Sequence, residues 1–337
     1  MGVLFPHMEA ALAVGNKKMP NRIVIPPMAD IAQKVPGHYV TAYMLKRYKA
    51  YTEGRPGMIV VEGSNVTNMR DVREAIGLWS DAFIPGLKQL AAVIRSGGSV
   101  GMIQISNAGL NVMEEETIAD IRRDKFLSYK QDFIRAAVRC REAGFDGIEL
   151  QCAHGYYLCQ VIESSERNDE YGGSFTNRIR LAVELVREIK EACGQDFLVT
   201  ARIGYPTVHG LIALAQALEQ AGADMLSIST GTKNYDVPSD FPADSKIYAA
   251  SCVKKAVHIP IIAVGNIRSG EEGEFIIAKG YADCIAVGRC HLADPAWSGK
   301  VLDGKEPVPC RRCKPCRWFK DSTACPARQQ RESMQHA

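Results

Sequence analysis

Four cysteines near the end of the chain are spaced like the thiolate ligands of an iron-sulfur cluster. They are Cys310, Cys313, Cys316 and Cys325, which read C-x2-C-x2-C-x8-C. Three thiolates in one tight loop can bind a single iron-sulfur cube, and the fourth completes the set. A structural zinc site is the alternative, although its usual pattern is two C-x2-C pairs with a longer spacer. The spacing favours a 4Fe-4S cluster over zinc and therefore indicates electron transfer.

Basic residues are interleaved with these cysteines. Five of them fall within ten positions, namely Arg311, Arg312, Lys314, Arg317 and Lys320. Around a cluster they would guide an acidic electron-transfer partner to the tail, because opposite charge speeds diffusional encounter. A solvated charged tail with no partner is the alternative interpretation.

The composition of the whole chain excludes other classes of function. The net charge of +3 over 337 residues, with basic and acidic residues interspersed, does not indicate a nucleic-acid surface. No apolar run reaches membrane-spanning length, and the first residues lack the pattern of a secretory signal. Eleven cysteines in a chain of this length indicate a reducing, cytoplasmic compartment rather than a disulfide scaffold.

Short β-branched runs alternate along the chain with longer segments of helical period. The pattern predicts eight parallel strands, several of them apolar throughout as strands buried on both faces must be. These strands are Arg22–Pro26, Met58–Glu62, Val100–Ile105, Gly147–Gln151, Phe197–Ile203, Met225–Ser229, Pro260–Val264 and Cys284–Val287. Helices are predicted between them at Phe83–Arg95, Lys130–Ala143, Asn177–Cys193, Gly210–Ala221, Lys246–Val257 and Glu271–Lys279.

Eight such units predict an α/β chain folded as a (β/α)8 TIM barrel, followed by a short cysteine-rich tail. A doubly wound sheet is the alternative, but no G-x-G-x-x-G follows the first strand. The predicted boundary places the barrel at 1–305 and the tail at 306–337. In a barrel of this kind the chemistry lies where the strands end, so the residues after each strand carry the most information.

The residues after the fourth strand resemble a known family. They read QCAHGY at 151–156 and NDEYGGS at 168–174, and further matching segments are NRIVIPPM at 21–28 and AVGN at 263–266. This chain resembles the old yellow enzyme family, in particular its iron-sulfur branch of 2,4-dienoyl-CoA reductases and trimethylamine dehydrogenases. The resemblance covers about residues 3 to 325.

A bound FMN is what this resemblance implies. Gly265 and Gly288 follow the seventh and eighth strands, where backbone N–H groups can approach a phosphate closely. Arg289 can add a charged fork, and Asn266 belongs to the same segment. These residues are the predicted phosphate site; ordinary strand-to-helix turns are the alternative for the two glycines.

The resemblance also implies which residues surround the flavin ring. Gln104 would meet its pyrimidine edge, since an amide offers a donor and an acceptor. Arg202 would lie near flavin N1 and raise the reduction potential, because its permanent charge favours the anionic reduced flavin. Backbone and wall contacts with the ring would come from Pro27, Met28, Ala29 and Gly63.

On the substrate side the chain departs from its relatives. The family commonly holds a substrate carbonyl with His and His or Asn three residues apart, whereas here the pair is Gln151 and His154. Amine dehydrogenases have Tyr at the first position. Tyr156 stays protonated at neutral pH and is the predicted proton donor to carbon. Asn107 and Leu110 replace the usual His and Arg, which predicts a more apolar or differently shaped pocket.

The sequence thus predicts an FMN- and 4Fe-4S-dependent oxidoreductase that reduces an activated C=C bond of enoate, enone or dienoyl type. The chain ends about a dozen residues past Cys325. Electrons are therefore expected from a separate electron-transfer protein or NAD(P)H reductase, or from a nicotinamide at the flavin. An amine dehydrogenase or N-demethylase that passes electrons outward is one alternative. The other is a non-catalytic electron-transfer subunit. The sequence leaves open whether the protein forms a homo-oligomer.

Overall fold

The computed structural model describes residues 4–30, 33, 35–68, 75–107, 117–231 and 235–335. Leu110 lies outside these ranges. Eight parallel strands close into a barrel in the order β10-β3-β4-β5-β6-β7-β8-β9. The ten strands are β1 Leu12–Val14, β2 Lys17–Met19, β3 Ile23–Ile25, β4 Met58–Asn65, β5 Val100–Ser106, β6 Gly147–Cys152, β7 Leu198–Ile203, β8 Met225–Ile228, β9 Ile261–Val264 and β10 Cys284–Ala286. The (β/α)8 prediction is confirmed, and each barrel strand begins within one residue of its predicted start.

Helices cover the outside of the barrel. They are α1 Pro6–Glu9, α2 Ala42–Glu53, α3 Ile84–Ser96, α4 Arg123–Glu142, α5 Tyr157–Glu163, α6 Phe175–Cys193, α7 Val208–Gln220, α8 Ser245–Lys254, α9 Gly270–Ala278, α10 Arg289–Ala293, α11 Trp297–Leu302 and α12 Pro326–Gln335. All six predicted helices are present, although α4 begins seven residues earlier than predicted, at Arg123 instead of Lys130. None of the described helices combines the length and apolar character needed to cross a membrane.

Helix α6 shows how the local sequence specifies a helix. It begins after Ser174, whose hydroxyl accepts a hydrogen bond from the Asn177 backbone N–H at 3.3 Å. Such a cap satisfies one of the N–H groups left without a partner at a helix start. Buried apolar residues then recur at helical spacing, at Ile179, Leu185 and Ile189 among others. The helix consequently packs one face against the barrel, and it ends at Cys193, directly before Gly194.

A hairpin that the sequence did not predict closes the amino end of the barrel. Strands β1 and β2 pair antiparallel, and Val14 and Met19 pack into the apolar cluster that fills the barrel interior. Gly15 turns between them with φ +53, a conformation that favours glycine. A Cβ on Gly15 would lie 2.8 Å from the Leu198 side chain, so the turn sits against the start of β7.

The interior of the barrel changes from apolar to polar along the strands. The amino-terminal half is filled by residues such as Met58, Met102 and Met225. Toward the carboxyl ends of β5, β6 and β7, buried polar side chains take over, at Gln104, Glu149, Gln151 and Arg202. Buried polar groups are costly unless they are paired, so a polar layer at this face points to a ligand site.

Candidate functional site

A cavity of about 720 Å³ opens at the carboxyl ends of the barrel strands. Pro27 and Met28 line it after β3, His154 after β6 and Ser229 after β8. Residues that follow β9 and β10 complete this wall. Nine of the residues predicted from the sequence line the cavity together, namely Pro27, Met28, His154, Arg202, Gly265, Asn266, Gly288, Arg289 and Cys310. The predicted residues Ala29, Gly63, Gln104, Gln151 and Tyr156 are not among the described residues that line it.

The predicted phosphate residues are held together by side-chain hydrogen bonds. Arg289 Nη2 donates to Asn266 Oδ1 at 2.6 Å, and Asn266 Nδ2 donates to Asp244 Oδ2 at 2.9 Å. Asn266 has φ +49, a left-handed conformation that asparagine tolerates better than most residues. A Cβ on Gly265 would lie 2.9 Å from the Lys246 side chain. The segments after β9 and β10 therefore form one compact unit beside the cavity.

Cations predominate among the charged residues around the cavity. Six cationic side chains line it, at Arg202, Lys246, Arg268, Arg289, Lys305 and Arg312. The carboxylates among the described lining residues are Glu271 and Glu306. An excess of cations in a concave site attracts and holds an anionic group such as a phosphate.

Arg202 is the most constrained cation of the site. Arg202 is the penultimate residue of β7 and is 8% exposed. Its Nη2 donates a hydrogen bond to Ser229 Oγ at 3.0 Å. Its Nε and Nη1 are buried and have no hydrogen-bond partner among the residues that the structure describes. Burial lowers the pKa of this guanidinium, and the nearby Glu149 carboxylate acts in the opposite direction. Because buried donors without partners are costly, these two nitrogens indicate a ligand that presents hydrogen-bond acceptors.

Beside Arg202, the barrel interior carries a connected polar layer. Gln104 Nε2 donates to Glu149 Oε1 at 2.8 Å and to Gln151 Oε1 at 3.1 Å. Register explains this contact, because Gln104 pairs with Glu149 across β5 and β6 and Gln151 pairs with Arg202 across β6 and β7. Gly63 belongs to the same layer, since a Cβ there would lie 3.2 Å from Gln104 Oε1.

His154 connects this layer to the cavity. It has φ +62, and its Nε2 lies 2.9 Å from Ser229 Oγ while its Nδ1 lies 3.5 Å from Gln151 Nε2. The Gln151 amide nitrogen can only donate, so Nδ1 must accept and the proton of a neutral ring resides on Nε2. Ser229 Oγ then accepts from both His154 and Arg202, which its two lone pairs allow. The predicted pair Gln151 and His154 is therefore in contact.

Tyr156 lies near the site without lining the cavity. It is half-buried and directly precedes α5, and it is close enough to Arg202 to contribute to the pKa of that guanidinium. Tyr157, the next residue, is buried against Phe133 at a ring-centroid distance of 6.5 Å. Asn107, which replaces the usual His, is buried and accepts a hydrogen bond from Thr67 Oγ1 at 3.1 Å. Its Nδ2 is buried with no partner.

The cysteine tail packs against the barrel next to the cavity. Cys310 and Cys325 contact the same apolar cluster of Ala293, Val308 and Ala327. Cys313 and Cys316 line a separate cavity of about 650 Å³. Among the described residues, no three His, Cys, Asp or Glu side chains form a group that could hold a metal ion. Cys310 also lines the large cavity, together with Arg312 and Phe319, so the tail forms part of its wall.

Sequence reasoning missed three residues of this site. Ser229 bridges Arg202 and His154, Lys246 lines the cavity at α8, and Glu149 anchors the polar layer. Ser229 lies at the predicted end of the sixth strand, which is the position where site residues concentrate. Glu149 precedes Gln151 by two residues and so faces the same side of β6.

The fold and the site together define a (β/α)8 barrel of the kind that carries an active site at the carboxyl ends of its strands. The model of the NADH:flavin oxidoreductase / NADH oxidase family matches residues 10–307. The chain therefore belongs to this family of flavin-dependent oxidoreductases, which confirms the membership predicted from the sequence motifs.

Known relatives include both longer and single-barrel proteins. An NADH oxidase of Thermoanaerobacter brockii is 34% identical, and the match covers 93% of this chain and 53% of that protein. A 2-naphthoyl-CoA reductase has a similar structure, with a TM-score of 0.83 at 20% identity over 96% of this chain and 57% of that one. The old yellow enzyme homologue from Zymomonas mobilis gives a TM-score of 0.78 at 19% identity, over 95% of this chain and 99% of that one. This chain thus spans about half the length of the longer relatives.

Proposed function

We propose that the chain binds FMN in the large cavity and a 4Fe-4S cluster on the tail at 306–337, and that it reduces an activated C=C bond. The observation that carries the proposal is Arg202, a buried cation at the cavity with two unpartnered nitrogens. Family membership supplies the class of cofactor. The cationic residues around Arg289 fit its phosphate, and the donors of Arg202 fit the acceptors of a flavin pyrimidine edge.

Bound FMN would supply the hydride, and the protein residues would hold the substrate and provide a proton. His154 carries its proton on Nε2 and is exposed at the cavity, so it can donate to a substrate carbonyl once it leaves Ser229. Such donors stabilise the charge that develops on the activating oxygen. Gln151 holds His154, and Tyr156 is the proposed proton donor to carbon. Enones, enoates and dienoyl thioesters all carry the carbonyl that this arrangement needs.

The tail suits a four-iron cluster better than a single metal ion. In a 4Fe-4S cube each thiolate binds a different iron, so the four ligands stand farther apart than those of one ion. The C-x2-C-x2-C-x8-C spacing of the tail cysteines is typical of cluster ligands, whereas zinc usually takes two C-x2-C pairs with a longer spacer. All four are half-buried and free, and exposed cations flank them.

Electrons would enter through the tail from an acidic electron-transfer protein or a separate NAD(P)H reductase. The five cations of the cysteine loop, Arg311, Arg312, Lys314, Arg317 and Lys320, are all exposed. No acidic residue interrupts positions 311–320. Phe319 in the same segment adds a large apolar side chain that is 42% exposed. Exposed cations together with an exposed aromatic side chain suit a negatively charged redox partner.

Metal and flavin analysis tests the cofactor assignment directly. Protein purified anaerobically should contain one FMN, four irons and matching acid-labile sulfide per chain. Cys313→Ser should remove the iron and leave the FMN, because Cys313 is not among the described residues that line the large cavity. Cys252→Ser is the matched control, since Cys252 lies on α8 and should retain both cofactors. Zinc in place of iron and sulfide would contradict the electron-transfer proposal.

The reduction potential tests the role of Arg202. Arg202→Ala should lower the potential of the bound flavin, because the charge that favours the anionic reduced form is lost. Spectroelectrochemical titration measures this change. Arg180→Ala serves as the control, because Arg180 lies on α6 and contacts Glu170 and Asn177 instead of the cavity. An unchanged or raised potential in an Arg202→Ala protein that still holds FMN would show that Arg202 does not face the ring.

A further inference from the structure

The amide of Gln104 has a single orientation in this structure. Its nitrogen carries two hydrogens, and both are used, at 2.8 Å to Glu149 and at 3.1 Å to Gln151. Its oxygen points the other way and lies 3.2 Å from the place that a Cβ on Gly63 would occupy. Gln104 therefore presents an acceptor, and not a donor, on the side of Gly63.

Glu149 is the group that imposes this orientation. Burial raises the pKa of the Glu149 carboxyl, whereas the Arg202 charge and the hydrogen bond from Gln104 lower it and so favour the carboxylate. A carboxylate can only accept, whereas the amides of Gln104 and Gln151 could each be turned by 180° and still offer a donor or an acceptor. Glu149 is 1% exposed, so water cannot substitute for its partners. A carboxylate at this position leaves the Gln104 nitrogen as the only suitable partner of the amide.

The same constraint passes on to His154. The second N–H of Gln104 donates to the Gln151 oxygen. The Gln151 nitrogen therefore faces His154 Nδ1, which lies 3.5 Å away. Nδ1 must then accept, and Nε2 carries the proton that faces Ser229 and the cavity. Four residues thus form one directed chain of hydrogen bonds that begins at Glu149 and ends at His154 on the wall of the cavity.

We propose that Glu149 is a positioning residue that sets the direction of this chain, and that it also balances the charge of Arg202. The first role makes Gln104 an acceptor for a ring N–H and makes His154 a donor for a carbonyl. The second follows from the buried opposite charges of Glu149 and Arg202 at one face of the barrel, where low polarity strengthens their interaction. For its effects on FMN and substrate the inference rests on the proposed function, but the histidine tautomer exists without any ligand.

Two variants separate the two roles. Glu149→Gln keeps the shape but removes the charge, so the potential of bound FMN should become more positive, opposite to the change expected for Arg202→Ala. Glu149→Asp keeps the charge but withdraws the carboxylate from Gln104. It should leave the potential near that of the parent while the Kd for FMN rises about tenfold, as the loss of one charged hydrogen bond implies.

A matched control removes a carboxylate elsewhere in the barrel. Asp224 precedes β8 at the amino end, where it accepts from the Val199 N–H at 2.7 Å. Asp224→Asn should change neither the potential nor the FMN affinity. A Glu149→Gln protein with the parental potential, or a Glu149→Asp protein with the parental FMN affinity, would overturn the proposal.

Nitrogen NMR of labelled histidine tests the direction of the chain in the flavin-free protein. The parent should show His154 with its proton on Nε2, and a His154→Ala spectrum assigns the signal. Glu149→Gln should shift the population toward the Nδ1–H tautomer, because Gln104 and Gln151 can then turn. A parental His154 protonated on Nδ1 would refute the positioning role. A parent that shows the expected tautomer but binds no FMN would refute the proposed function alone.

Discussion

Arg47→Met should lower the free energy of unfolding by about 3 to 5 kcal/mol, the cost of leaving a buried charge without its partner. Arg47 on α2 donates to the carboxylate of Glu62 on β4, and both side chains are buried. Burial raises the pKa of Glu62, and the Arg47 charge opposes this rise. Arg47 also lies over the Tyr48 ring, 5.1 Å from its centroid, so its removal costs packing as well as charge. Urea unfolding followed by circular dichroism measures the loss.

The double variant Arg47→Met with Glu62→Met is the control for this prediction. If the cost comes from the unpaired Glu62 carboxylate, removing that carboxylate should restore most of the lost stability. The reason is that a buried ion pair contributes little more to stability than apolar residues of similar volume. A cost near zero in the single variant would contradict the expectation. A double variant less stable than the single variant would show that Glu62 is held by its other contacts, such as the hydrogen bond between its backbone N–H and the Tyr48 hydroxyl at 2.9 Å.

The barrel could be predicted from the sequence because its strands are short, apolar and buried on both faces. Runs such as 58–62 and 197–203 have no amphipathic alternative, so their boundaries agree with the structure to within a few residues. The β1–β2 hairpin was missed for the opposite reason. Its strands have three residues each, and Val14 and Met19 are the two apolar residues that enter the barrel. Because Lys17 and Lys18 precede Met19, the local sequence shows no apolar strand pattern there. Only the tertiary contact with the barrel interior makes that segment a hairpin.

The candidate site could be predicted only at the level of strand ends. Position after a strand identifies His154, Arg202 and Gly265 as neighbours, and the structure brings them to one cavity. The role of Glu149 could not be predicted, because it depends on the register between β5 and β6 and on the direction of two amide groups. Register is set by the closure of the entire barrel and leaves no mark in the local sequence.

The sequence could not predict where the tail packs, because that packing also depends on tertiary contacts. Cysteine spacing predicts ligands but not the surface against which they pack. In the structure Arg331 donates to the Ala293 carbonyl at 2.9 Å, and the Arg328 guanidinium lies 5.9 Å from the centroid of the Trp318 ring. The Arg331 hydrogen bond places α12 against α10, the helix that begins at Arg289. The tail therefore packs on the helix whose first residue belongs to the predicted phosphate site.

His154→Ala and Tyr156→Phe should separate carbonyl binding from protonation. Loss of His154 should weaken the binding of carbonyl ligands and slow reoxidation of the flavin by substrate, because a donor that acts more strongly in the transition state is removed. Tyr156→Phe should leave ligand affinity nearly unchanged and slow substrates that need a proton at carbon by about 100-fold, as expected for a missing general acid. Stopped-flow mixing of prereduced enzyme with an enone measures both rates.

Tyr157→Phe is the matched control for the Tyr156 variant. The Tyr157 hydroxyl is buried with no hydrogen-bond partner, so its removal should not change the rate. Tyr235, which follows β8, is another phenol to consider as a proton source. It is a poor proton donor, because burial raises the pKa of Tyr235 to about 12 and its hydroxyl donates to the Tyr205 carbonyl at 2.6 Å. A parental rate in Tyr156→Phe would thus reject Tyr156 as the proton source. Because the Tyr235 hydroxyl already donates to a backbone carbonyl, that result would favour a proton delivered by solvent at the open cavity.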